Sequence, residues 1–161
     1  MNNYGKITSI SEIHDFRIGN RSPLYGSNCC RKSVTSMLGA LFGYSKYDGY
    51  EVKTENHRFL ILIDNGQCCC ESWGYLSSDD NLTDYVGKTL LDVILTDTAL
   101  NQKAVDKSDY YGDDSGGIQF VDFKCSDGSV FQLAVYNDHN GYYGHPIFVI
   151  KDEEILLSDT L

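Results

Sequence analysis

Two segments concentrate the residue types that do chemistry. The first is Cys68-Cys69-Cys70-Glu71-Ser72-Trp73-Gly74. The second is Asn137-Asp138-His139-Asn140-Gly141-Tyr142-Tyr143-Gly144-His145. Thiolate and imidazole are the ligands zinc prefers, and four of them in a tetrahedron close a structural site. Cys69, Cys70, His139 and His145 would supply that set, so a structural Zn2+ is the expected cofactor. The spacing is not that of a zinc finger or ribbon. Geometry also raises two obstacles. Neighbours on a strand face opposite ways, so Cys69 and Cys70 reach one ion only across a bulge. A two-residue Asn140-Gly141 hairpin would pair His139 with Tyr142 and His145 with Tyr136, which puts the two histidines on opposite faces; a wider loop relaxes this. In the competing reading the cysteines are small buried hydrophobes and the histidines hydrogen-bond their own loop.

Other reactive types are more scattered. Cys29 and Cys30 fall at the start of an expected helix, where a thiol pKa can drop, but no histidine stands at a spacing that would pair with them. Asp79-Asp80 and Asp113-Asp114 lack the spacing of an EF-hand loop and read as solvated acids. No Gly-rich phosphate loop occurs. Tyr110, Tyr111, Tyr142 and Tyr143 fall in expected loops beside Asp113 and Asp114. Amphipathic rings in loops anchor protein interfaces, so these six residues are the expected partner-binding set. One tyrosine of each pair is equally suited to covering the sheet.

The elements that must position these residues are mostly strands. A short strand is expected over 6–9, and a helix over 29–41 with Asn28 as its cap. Alternation over 50–54 and the apolar run 58–64 read as strands. Asn65-Gly66 is a hairpin signal with 67–76 as the return strand. Asn81 caps a helical turn over 81–86, and 89–98 is a buried strand. An acidic loop over 100–116 precedes strands over 118–125, 130–137 and 142–151, with Asp127-Gly128 and Asn140-Gly141 as turns. The expected fold is α+β: a mainly antiparallel sheet, curved or sandwich-like, with one short helix near residues 29–41. The 161 residues make one domain.

Composition narrows the function classes. Thirteen Lys and Arg against 23 Asp and Glu give a net charge of −10. Residues 1–33 hold five basic and two acidic side chains, and the rest holds eight and 21. A body so acidic repels a phosphate backbone, so direct nucleic-acid binding is not expected, and a basic protein is the natural partner. No signal peptide or membrane-length apolar run is visible. Five of the six cysteines lie in vicinal runs, which suits reduced thiols in a cytosol.

The two segments also carry a resemblance. Asp64-Asn65-Gly66, Cys69-Cys70-Glu71-Ser72-Trp73-Gly74, Leu95-Thr96-Asp97-Thr98-Ala99-Leu100-Asn101 and His139-Asn140-Gly141-Tyr142-Tyr143-Gly144-His145 are similar to a small phage and prophage domain family of Gram-positive hosts. The likeness covers roughly residues 38–151; Cys68 departs from it, and residues 1–30 read as an N-terminal extension. The resemblance implies a phage accessory protein acting on host machinery. By analogy with anti-CRISPR proteins, it implies an inhibitor that blocks a Cas9-type nuclease through an acidic surface. Two alternatives stand beside this non-enzymatic reading. One is a sponge for a nucleotide immune signal, with Arg17, Arg21 or Arg58 meeting phosphate. The other is a metallohydrolase with Glu71 as base beside a zinc-bound water.

Overall fold

The computed structural model describes residues 2–18, 45–67, 70–112 and 115–161. Among these the chain forms nine strands: β1 (Gly5–Phe16), β2 (Tyr47–Thr54), β3 (Arg58–Asp64), β4 (Glu71–Ser77), β5 (Thr89–Thr96), β6 (Ser115–Cys125), β7 (Val130–His139), β8 (Pro146–Lys151) and β9 (Glu154–Thr160). A 3-10 turn (Leu82–Tyr85) and a short helix α1 (Gln102–Asp106) interrupt them. All strand pairs are antiparallel, in the order β4-β7-β6-β5-β1-β2-β3-β8-β9. The mainly antiparallel sheet of the expected fold is therefore present. The helix expected near residues 29–41, with Cys29 and Cys30, lies outside the described residues.

β1 joins the two halves of the sheet. It pairs with β2 along most of its length and with β5 only at Gly5 and Lys6. The sheet then turns over, and both halves feed one apolar core. Ile61, Ile63, Ile147 and Val149 come from one half, and Val121, Phe131, Leu133 and Val135 from the other. Phe59 of β3 meets Phe123 of β6 edge-on at 5.9 Å, and Phe123 stacks on Phe131 at 4.8 Å. Offset and edge-on rings of this kind add to plain area burial. β7 is buried on both faces: alternate residues Ala134 and Tyr136 pack outward against α1 and β6 residues in a second cluster.

Several local expectations hold. Asn81 caps the 3-10 turn through its side chain, and Asp127-Gly128 closes the β6–β7 hairpin. Others need correction. Asn65-Gly66 does not form a hairpin: β3 pairs with β2 and β8, while β4 crosses to β7. Asn140-Gly141 is likewise a crossover, because β8 pairs with β3 and β9 and not with β7. β1 spans 12 residues instead of the short stretch expected, and it lies inside the sheet. Residues 5–16 thus form an interior strand of the sheet, and residues 19–30 lie outside the described residues.

Close backbone approach fixes one glycine. A Cβ on Gly49 (φ 149°) would lie 2.0 Å from the Ile61 carbonyl oxygen on β3, whereas one on Gly128 (φ 84°) would meet nothing within 4 Å. Gly128→Ala then carries only the left-handed strain, about 1–2 kcal/mol. Gly49→Ala must also push β2 away from β3, so we expect at least about 2 kcal/mol more destabilisation from it than from Gly128→Ala, read as the shift of the denaturation midpoint. Equal losses would show that β2 moves aside freely.

Candidate functional site

The two chemical segments meet at one end of the sheet. Uninterrupted β4–β7 pairing sets Glu71 opposite His139, and Trp73 opposite Asn137. Directly opposed residues share a face, so these four side chains stand on one side. The crossover from β7 to β8 then returns His145 to the same place. The His145 Nδ1 lies 2.6 Å from the Asp64 carbonyl, and Nε2 lies 2.8 Å from Glu71 Oε2. A carbonyl only accepts, so Nδ1 carries a proton and donates it. Nε2 and the carboxylate share another in a charge-assisted bond. The Glu71 side chain is fully buried and that of His145 is 4% exposed. Trp73 lies over the His145 ring at 5.8 Å and 25°, while its indole N–H donates to Gln67 Oε1.

His139 does a different job. Its Nδ1 accepts the backbone N–H of Gly141 (3.0 Å) and of Tyr143 (3.2 Å). An N–H cannot accept, so Nδ1 presents a lone pair and the neutral ring has its proton on Nε2. The ring thereby shapes the 140–143 loop from inside. Asn137, fully buried, donates through Nδ2 to the carbonyls of Tyr143 and Leu161. Leu161 and His145 exchange two backbone hydrogen bonds.

This network changes the expected metal site. Cys69 lies outside the described residues. Cys70 is exposed, on a left-handed backbone (φ 63°) at the entry to β4. His139 and His145 are brought to the same end, as a site would require, and the opposite-face obstacle disappears with the hairpin that caused it. Yet both nitrogens of His145 are spent on Asp64 and Glu71, and the lone pair of His139 on its own loop. Among the described residues no three His, Cys, Asp or Glu side chains converge as a metal would need. Glu71, expected as the base of a metallohydrolase, is instead the buried counter-ion of His145.

On the opposite face of β7, Asp138 takes the backbone N–H groups of Tyr111 and Gly112 on Oδ2, at 3.0 and 2.9 Å. This ties the Tyr111 segment to the end of β7, from which the 140–143 loop departs. The tyrosine pairs split as their alternative reading allows. Tyr110 packs in the second cluster against Tyr136 (5.9 Å), and Tyr143 is half-buried, whereas Tyr111 is 70% and Tyr142 86% exposed. Burial pushes the Tyr136 phenol up, against a hydrogen bond with the Asp109 backbone that lowers it. Asp113 and Asp114 lie outside the described residues. Sequence reasoning gave no role to Asp64, Trp73, Asn137 or Asp138; the signal for the last three was their placement within the two reactive segments.

A family model described as a domain of unknown function, DUF7448, matches residues 6–149. The chain belongs to this family. The DUF7448 match runs from β1 into β8 and contains the whole Glu71–His145 arrangement. A protein of Acanthamoeba polyphaga mimivirus, Uncharacterized protein L278, is 27% identical over 100 residues, covering 61% of this chain and 74% of that protein. No solved structure matches. No helix among the described residues is long and apolar enough to cross a membrane.

Removing one partner of a buried pair leaves an uncompensated charge. His145→Ala should therefore cost about 3–5 kcal/mol, and Glu71→Gln in the same background should recover part of it. Denaturant unfolding of the two single variants and the double variant gives the coupling. Elemental analysis alongside should find no stoichiometric zinc in the parent. Zinc that is present and lost in the His145 variant would instead establish the four-ligand site.

Proposed function

We propose that this DUF7448 protein is a binding module that engages a basic partner protein through the end of the sheet that presents Tyr111 and Tyr142. One observation carries the reading: Asp138 anchors the Tyr111 segment to the end of β7, from which the loop that His139 shapes departs, so two highly exposed tyrosines are each held to the end of one strand of an acidic molecule. Tyrosine is among the residues that dominate interface energies, and acidic surroundings steer a basic partner and suppress others. The mimivirus relative supports a viral setting for the domain. Within it, the module acts as an inhibitor of a host protein that handles nucleic acid, whose basic groove an acidic surface complements. A Cas9-type effector, in the cytoplasm of a bacterial host, is the narrower form of the proposal.

The reading is non-catalytic. Glu71 and His145 form a unit capable of proton transfer, but each holds the other inside the protein and both side chains are buried away from solvent. The nucleotide-sponge alternative loses one of its cations. Arg58 is bonded to Glu51 at 2.6 Å, with its guanidinium over the Phe16 ring at 5.5 Å.

Binding of the purified chain to a guide-loaded Cas9-type effector should be measured across a salt titration. We expect association that weakens as salt screens the charges. The Tyr111→Ala/Tyr142→Ala variant should lose roughly tenfold or more in affinity while its circular dichroism stays unchanged. No association at low salt rules out this effector. A double variant that binds as tightly as the parent rules out the tyrosine surface.

A further inference from the structure

Two Asn-Gly steps occur in the sequence, Asn65-Gly66 and Asn140-Gly141. Asparagine followed by glycine is chemically labile, because glycine leaves its backbone nitrogen unhindered next to the side-chain amide carbon. Attack forms the bond from the glycine nitrogen to Cγ and expels the side-chain nitrogen as ammonia. Water then opens the succinimide ring to aspartate or isoaspartate. For this to happen the attacking nitrogen must lose its proton, and the departing amide nitrogen must gain one.

The structure treats the two steps differently. At Asn65 the side-chain amide is held by Asp15 Oδ1 (3.0 Å) and Asp48 Oδ1 (2.8 Å), and the Gly66 N–H donates to the Asp64 carboxylate at 2.8 Å. At Asn140 the side chain is exposed, and no hydrogen bond holds it among the described residues. The Gly141 N–H points at the Nδ1 lone pair of His139, 3.0 Å away. Imidazole is a stronger base than carboxylate, and this one already sits on the proton that has to leave, within the reach a general base needs. Gly141 has φ 97°, and the one atom a Cβ there would approach is Ser115 Oγ at 3.4 Å, so the step is not crowded.

We propose that Asn140 is a self-modification site, converted to aspartate or isoaspartate with His139 taking the Gly141 proton. The product adds a negative charge two residues before Tyr142, and isoaspartate also lengthens the loop backbone. If Tyr142 contacts a partner as proposed above, the modification alters that contact; the modification itself does not depend on that reading.

The test is peptide mapping by mass spectrometry after incubating the full chain at neutral pH in heavy-oxygen water, folded and in urea. Folding ordinarily slows this reaction by fixing the chain. Here we expect the folded protein to convert Asn140 roughly tenfold faster than Asn65, and faster than Asn140 itself converts in urea, with the two sites converging once unfolded. Conversion of Asn140 in the folded protein that is no faster than in urea, or no faster than at Asn65, overturns the proposal. A His139→Gln variant that retains the native circular dichroism should lose most of the advantage, and one that keeps it removes His139 as the base. Should that variant unfold, the folded-against-urea comparison of the parent decides alone.

Discussion

The His145 ring lies between the Asp64 carbonyl at the end of β3 and the Glu71 carboxylate at the start of β4. Those two strands sit in different halves of the sheet, and β1 is the strand that joins the halves. The pair therefore closes the end of the molecule where strand pairing does not. Taking both charges out of water is expensive, and attraction at 2.8 Å offsets this only when the remaining polar atoms are also satisfied. The carbonyl of Asp64 satisfies the far nitrogen, and the indole of Trp73 covers the ring face. A buried pair of this kind is a poor source of raw stability but a strict specifier of geometry, since a slip of β4 against β7 by one residue would turn Glu71 to the other face.

Much of the β architecture is legible in local sequence, and its limits follow from what local sequence encodes. Asp127-Gly128 works as a turn signal because β6 and β7 are neighbours in both sequence and sheet. Asn65-Gly66 and Asn140-Gly141 are equally good turn formers, but a turn dipeptide does not say which strand the chain pairs with next. Both segments change halves of the sheet. β9 lacks a glycine signal altogether: the β8–β9 connection places Asp152 at φ 55°, where glycine is the usual choice. β1 is hard to see because its register shifts twice against β2, which breaks the two-residue alternation.

The site was legible as a list of residues and not as a chemistry. Thiols and imidazoles in two segments suggested coordination, and the segments do meet. What composition cannot show is how each ring nitrogen is used. That depends on backbone groups, the Asp64 carbonyl and the Gly141 and Tyr143 N–H groups, which have no signature in residue type. Glu71 stands beside the cysteines in sequence and so read as an adjunct to a metal, yet across β4 and β7 it is the residue placed to reach His145.

The end of β7 joins this interior to the surface. Asp138 and His139 are adjacent and so face opposite sides of the sheet. Asp138 reaches outward to the N–H groups of Tyr111 and Gly112; His139, on the face it shares with Glu71, reaches the N–H groups of Gly141 and Tyr143. Each uses a side-chain acceptor to hold backbone donors of an irregular segment, the substitute for a ladder where the ladder stops. Two loops far apart in sequence are thus fixed relative to one strand, and through β4 to the buried pair. A tyrosine held this way loses less freedom on meeting a partner than one on a free loop, so more of its contact energy remains for binding. The polar network inside the sheet is in this sense the support for the surface: it holds the segments that carry the two exposed rings to the end of one strand.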